Sequence, residues 1–320
     1  MIVSVGSASD VKRVTQALAA HGQWVARVEA TATEQLLVLA PYGAAVDAAR
    51  LREIPGVRAV STPASTRPLL DGAGSTVAVG DIVIGGERRT LIAGPCAVES
   101  EARIHALAST LARHGVSVLR GGAHKPRTSP YAFRGHGDVA LGWLRDAADA
   151  AGMKVVTEVL SEGDVDAVAA RADLLQVGSR NMAAFALLRA VGRAGLPVLL
   201  KRGAAATIDE WLLAAEHLLA AGARGVVLCE RGVRGFDHET RNLLDLSAVA
   251  LLANVHRLPV IVDPSHATGR RDLVVPLARA ALACGAAGVM VEVHDQPELA
   301  LSDGPQALAP DDVAAIGGRS

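Results

Sequence analysis

The sequence predicts an α/β protein: a (β/α)8 TIM barrel preceded by a small ferredoxin-like βαββαβ domain. Three observations carry this reading. From Leu91 onward, short apolar strands alternate with Ala- and Leu-rich helical stretches. Eight such strands over roughly 230 residues is the arithmetic of a barrel. Each strand also begins apolar and ends in polar or charged residues, which a barrel gathers at one mouth and an open doubly wound sheet would spread along an edge. Before residue 63 the order is instead strand, helix, two strands, helix, strand, the ferredoxin-like pattern.

The N-terminal unit, residues 1–62, takes its strands from IVSV (2–5), WVARV (24–28), QLLVLA (35–40) and GVRAV (56–60). Its helices are expected at Asp10–Ala20, with Ser9 or Asp10 as cap, and at Ala44–Arg52. Such a unit suits packing, oligomerisation or ligand sensing. Residues 61–75, STPASTRPLLDGAGS, read as a linker. In TVAVGDIVIGG (76–86) an apolar alternation is broken by Gly80-Asp81, a hairpin signal. Residues 63–90 are thus linker plus a barrel-closing hairpin, and 91–320 the barrel. Its strands are LIAGPC (91–96), VSVLRGG (116–122), KVVTEV (154–159), LLQVGS (174–179), PVLLKRG (197–203), GVVLCERG (225–232), PVIVDPSH (259–266) and GVMVEVH (288–294). Helices are expected at Glu101–His114, Asp138–Ala151, Ile208–Ala221, Leu243–Val255 and Arg271–Cys284. The residues after the eighth strand look too short for a full last helix.

Composition narrows the function. The chain has 320 residues, half of them hydrophobic, and a net charge of −1. Near-neutral charge argues against bulk nucleic-acid binding, and 2% aromatics argue against a base-stacking surface. No window has the uninterrupted apolar run of a membrane span, and no basic-then-apolar leader opens the chain, so a cytoplasmic protein without a membrane partner is expected. Three cysteines (Cys96, Cys229, Cys284) in so large a chain point to reduced thiols.

The strand ends separate into two chemistries. Seven cations come from strands two, four, five and six: Arg120, Lys125, Arg127, Arg180, Lys201, Arg202 and Arg231. Three of them lie in LRGGAHKPRTSPY (119–131), where glycines admit close backbone approach and Thr128 and Ser129 add hydroxyl donors. Carboxylates nearby are fewer: Glu158, Glu230 and Asp263. A buried cation needs a partner, so the excess implies a large anionic ligand, of the size of two phosphates plus a carboxylate. Arg202 is the cation expected to point outward into the helix layer. Strands one, seven and eight supply Cys96, His266 and Glu292, and Asp303 follows in LSDGPQ. Thiol, imidazole and carboxylates together suit a divalent transition metal such as Mn, Fe, Co or Zn.

These motifs, GPCAVES (94–100), LRGGAHKPRTSPY, GSRNM (178–182), LLKRG (199–203), CERGVR (229–234), TRNLLDLSAV (240–249), VDPSHATGRRDLV (262–274) and EVH with ALSDGPQAL, resemble 3-deoxy-D-arabino-heptulosonate 7-phosphate (DAHP) synthases over about residues 66–310. The N-terminal unit resembles the branch with a ferredoxin-like extension. The resemblance implies condensation of phosphoenolpyruvate with erythrose 4-phosphate, the entry step of the shikimate pathway and aromatic amino-acid biosynthesis. It implies Cys96, His266, Glu292 and Asp303 as metal ligands. Arg120, Lys125, Arg180, Lys201 and Arg231 fall on phosphoenolpyruvate contacts, with Ser179 beside Arg180. Arg127, Thr128 and Ser129 fall on the sugar phosphate site, with Asp263 near the sugar hydroxyls. Lys125 is the expected proton donor, beside Cys96 and His266 in the reacting centre. A homo-oligomer, a tetramer by resemblance, is expected. Two alternatives remain: the octulosonate relative that uses arabinose 5-phosphate, and a Schiff-base aldolase built on Lys201.

Overall fold

The computed structural model describes residues 1–317 apart from Tyr42, Ala45, residues 126–130 and Ala132. It divides into two compact units, Met1–Thr66 and Arg67–Ser320.

In the first unit β1 (Ile2–Val5), β2 (Val25–Ala30), β3 (Gln35–Leu39) and β4 (Val57–Ser61) form one sheet in the order β2-β3-β1-β4. All its pairings are antiparallel. Helices Ala8–Ala20 and Ala48–Arg52 bury Val14, Leu18 and Leu51 with Val3, Val5, Leu37 and Leu39 of the sheet. This is the ferredoxin-like arrangement. Asp47 caps the second helix by accepting the Ala49 N–H, so the helix starts later than the sequence pattern suggested.

The second unit opens with a departure. The stretch expected to be linker contains a helix, Pro68–Asp71, with proline at its first turn. Glu216, far along the chain, accepts the Leu69 and Leu70 N–H groups at 3.0 and 2.8 Å. Then comes an antiparallel hairpin, β5 (Val77–Val79) and β6 (Ile82–Ile84).

The eight barrel strands are β7 (Thr90–Gly94), β8 (Val118–Arg120), β9 (Lys154–Val159), β10 (Leu174–Val177), β11 (Val198–Lys201), β12 (Val226–Glu230), β13 (Val260–Val262) and β14 (Gly288–Glu292). Each pairs in parallel with the next, and β14 pairs with β7, so the sheet closes and leaves no edge.

Strand alternation sorts the side chains. Ile92, Val118, Val156, Leu174, Leu199, Val227, Ile261 and Met290, one per strand, form an apolar layer inside the barrel. Val77, Val79 and Ile84 of the hairpin join that layer and floor the barrel. The alternate residues, such as Leu119, Leu175, Leu200 and Leu228, pack outward under the helices. Two positions beyond each inner apolar residue stand Gly94, Arg120, Glu158, Gln176, Lys201, Cys229, Asp263 and Glu292. The polar layer at the mouth therefore follows from two-residue periodicity.

After β14 the described residues contain three short 3-10 turns, Pro297–Leu299, Gly304–Gln306 and Pro310–Ala315, and no α-helix. No helix among the described residues is long and apolar enough to cross a membrane.

Candidate active site

The mouth holds a cavity of about 290 Å³. Of the residues expected at the site, Arg120, Lys125, Ser179, Arg180, Lys201, Arg231, His266 and Asp303 line it. So do Glu158, Gln176, Gly178, Ala204, Arg234, Arg241 and Asn242. Arg234, Arg241 and Asn242 belong to the CERGVR and TRNLLD motifs but received no role from the sequence. Their motif membership was the available signal. Arg127, Thr128 and Ser129, expected on the sugar phosphate, lie outside the described residues.

The cations reach the wall in different ways. Arg120 ends β8, is 5% exposed, and pairs with Glu292 Oε1 at 3.2 Å through one terminal nitrogen. Its Nε and Nη1 have no hydrogen-bond partner among the described residues. A buried guanidinium with idle donors beside a cavity calls for an anion. Lys125 donates through Nζ to the Cys96 carbonyl at 2.8 Å. Lys201 Nζ is 2.5 Å from Asp263 Oδ2. Burial, opposed by the Asp263 charge and aided by Arg241, shifts Arg231 below its ordinary value. Arg202 points the other way: it pairs with Glu230 at 3.0 Å and Asp245 at 2.9 Å and lies over the Trp211 ring. It belongs to the helix layer, as expected. Gly178 lies against Glu158, and a Cβ there would collide with the carboxylate that leans toward the cavity.

Asp263, expected near the sugar hydroxyls, is 0% exposed and is spent on protein groups. Its Oδ2 meets His266 Nδ1 at 2.7 Å as well as Lys201, and its Oδ1 accepts the His266 N–H at 3.0 Å. The reason is its position at the base of the helix Pro264–Thr268, which it caps. Burial works to raise this carboxyl, yet His266 and Lys201, then the His266 hydrogen bond and Arg120, hold it well below the usual carboxylate range. A proton on Nδ1 shared with Asp263 leaves His266 Nε2 as the ligating nitrogen.

Nε2 of His266 is 3.2 Å from Glu292 Oε1. Glu292 is fully buried; burial would raise its carboxyl, but His266, Arg120 and Lys125 hold it far below its ordinary value. Gln306 Nε2 donates to its Oε2 at 2.5 Å, while Oε1 accepts no hydrogen bond from the described residues. Cys96 Sγ donates to Asp303 Oδ2 at 3.0 Å. Ligand atoms of Cys96, Glu292 and Asp303 lie within 4.8 Å of one another. Burial and then the Glu292 charge push the Cys96 thiol up to about 12. Asp303 adopts a left-handed backbone, φ 54°, a conformation that Asp tolerates better than most non-glycine residues. The convergent thiol and carboxylates, with His266 Nε2 beside Glu292, fit a divalent transition metal.

The comparisons with known proteins agree with this geometry. The family model described as the DAHP synthetase I family matches residues 61–318. Over 234 residues the chain is 53% identical to the phospho-2-dehydro-3-deoxyheptonate aldolase of Thermotoga maritima, covering 73% of this chain and 69% of that one. Identity falls to 34% over 236 residues with the 2-dehydro-3-deoxyphosphooctonate aldolase of Acidithiobacillus ferrooxidans, covering 68% of this chain and 83% of that one. The crystal structure of the DAHP synthase of Thermotoga maritima superposes with a TM-score of 0.76 at 41% identity, covering 98% of this chain and 94% of that one.

Proposed function

The chain belongs to the DAHP synthetase I family, and from that premise we propose that it joins phosphoenolpyruvate, D-erythrose 4-phosphate and water to give 3-deoxy-D-arabino-heptulosonate 7-phosphate and inorganic phosphate. The observation that carries the reading is the pairing of a cation-lined cavity with the thiol–carboxylate cluster at its side. Each phosphate carries about −1.5 to −2 at neutral pH, so two phosphates and a carboxylate match the cations on the wall. The idle donors of Arg120 suit a carboxylate or phosphate oxygen.

In the proposed sequence C3 of phosphoenolpyruvate forms a bond to the aldehyde carbon of the sugar. The aldehyde oxygen takes up a proton, for which Lys125 Nζ at the cavity wall is the donor. Water adds to C2 and its released proton restores Lys125. The hemiketal phosphate then breaks its C–O bond, freeing inorganic phosphate and the keto product. Arg120, Arg180, Lys201 and Arg231 hold phosphoenolpyruvate and Arg127, Thr128 and Ser129 the sugar phosphate, which keeps two mutually repelling anions together, a proximity and electrostatic contribution. Cys96, His266, Glu292 and Asp303 would hold a divalent cation. When bound, that cation supplies Lewis acidity toward the sugar aldehyde. Borohydride trapping with substrate separates this reading from a Schiff-base aldolase built on Lys201: the proposed condensation forms no imine and leaves no trapped adduct.

Substrate choice is tested by following loss of the enol absorbance with either sugar. The proposal predicts a higher kcat/KM with erythrose 4-phosphate than with arabinose 5-phosphate. The reverse preference would assign the chain to octulosonate chemistry, in line with its more distant relatives.

A further inference from the structure

We propose that Glu99 is a positioning residue: it clamps the loop after β14 so that Asp303 meets Cys96 as a metal ligand. The inference rests on the metal site proposed above and deepens it.

Residues 295–303 leave the barrel and return with Asp303 in a left-handed conformation. Side-chain burial holds only part of this excursion: Pro297 and Ser302 are buried, whereas Leu299 and Leu301 are 62% and 57% exposed. Polar groups that follow the adjacent strand β7 also hold it. Glu99 Oε1 accepts the Leu301 N–H at 2.7 Å, two residues before the ligand. Its Oε2 accepts from Arg103 Nη1 at 2.9 Å and faces His294 Nε2 at 3.3 Å. His294, 2% exposed, accepts the Gln296 N–H on Nδ1 at 3.0 Å. With Nδ1 accepting that N–H, a neutral ring carries its proton on Nε2, which faces Glu99 and lies 3.3 Å from Arg103 Nη1. Arg103 also reaches Asp295 at 3.5 Å.

The clamp and a ligand share one short segment. Cys96 and Glu99 both follow β7, three residues apart, and Arg103 is one turn further on in the helix Glu101–Arg113. Anything that fixes Glu99 against Leu301 also fixes the spacing between the Cys96 thiol and the Asp303 carboxylate. Glu99 does not line the cavity, so its effect on the metal runs through the loop. Groups that orient a metal ligand are commonly worth ten- to a hundredfold in metal affinity.

The test is a Mn(II) titration of metal-free full-length protein, without substrate, read by loss of the free-ion paramagnetic resonance signal. Glu99→Ala removes the clamp. Glu99→Gln keeps an acceptor for Leu301 but turns an amide donor toward Arg103 or His294, and it serves if the alanine variant does not fold. Each is made in the native background and with Asp303→Ala. The expected result is a Kd raised roughly tenfold or more where Asp303 is present, and no further change where Asp303 is absent. A Kd unchanged in both backgrounds overturns the proposal and assigns the loop to the hydrogen bonds that Arg271 donates to the Gly304 carbonyl and Leu308 N–H to the Glu292 carbonyl. An equal loss in both backgrounds also overturns it, because Glu99 would then act on the whole site. Wild-type protein that takes up no Mn(II) or other divalent ion would instead remove the metal reading and this inference with it.

Discussion

Lys201 and Arg202 are neighbours in sequence and serve opposite layers. Leu199 and Lys201 face the barrel interior; Leu200 and Arg202 face the helices. The same parity sends Arg231 to the cavity and Glu230 to Arg202. This much is legible from strand periodicity, because a side chain's face is fixed by its position modulo two. What is not legible is how a buried carboxylate is spent. The family resemblance puts Asp263 near the sugar hydroxyls, and nothing in the sequence shows that it also caps the next helix and meets His266 Nδ1. Parity gives Arg202 a structural duty. Burial raises the Glu230 carboxyl, and Arg202 is its ion-pair partner. Arg202→Met should therefore leave that carboxylate uncompensated and cost about 3–5 kcal/mol of unfolding free energy. Urea denaturation measures this, and KM for phosphoenolpyruvate should stay unchanged. A raised KM with intact stability would mean that Arg202 serves the ligand.

At the scale of elements, the hairpin shows how local signals become global structure. Gly80-Asp81 between alternating apolar residues marks the turn, and the structure shows what the hairpin does: its three buried residues complete the floor beneath the apolar layer. The segment before it reads as linker because the cap of its helix is Glu216, a non-local partner that no local pattern reveals. Likewise Glu99 has no role assignable within GPCAVES, and only the folded loop brings Leu301 to it. Truncating Ile84 to Ala removes fully buried floor volume and should destabilise by about 2–5 kcal/mol. Because the floor and the catalytic mouth are separated by the apolar layer, kcat and KM at moderate temperature should be retained. A thermal melt beside steady-state kinetics separates the two, and lost activity in a folded variant would mean that the floor reaches the mouth.

For the whole molecule, the barrel explains why residues scattered from Cys96 to Asp303 act together. Eight parallel strands end at one mouth, so chemistry spread over some two hundred positions of sequence converges on one cavity. The order of strands and the separation into cations and metal-ligating groups are readable in the chain; the ligand spacing and the partnerless donors of Arg120 are not, because they depend on closure. The central claim is that the cation cavity and the thiol–carboxylate cluster work as one site. The most direct measurement is a chelation and restoration assay with phosphoenolpyruvate and erythrose 4-phosphate, following the enol absorbance. The account predicts that turnover disappears with chelator, returns on adding Mn(II) or another divalent ion, and does not return in Cys96→Ala. Undiminished turnover in chelator, or full activity in Cys96→Ala, would contradict it.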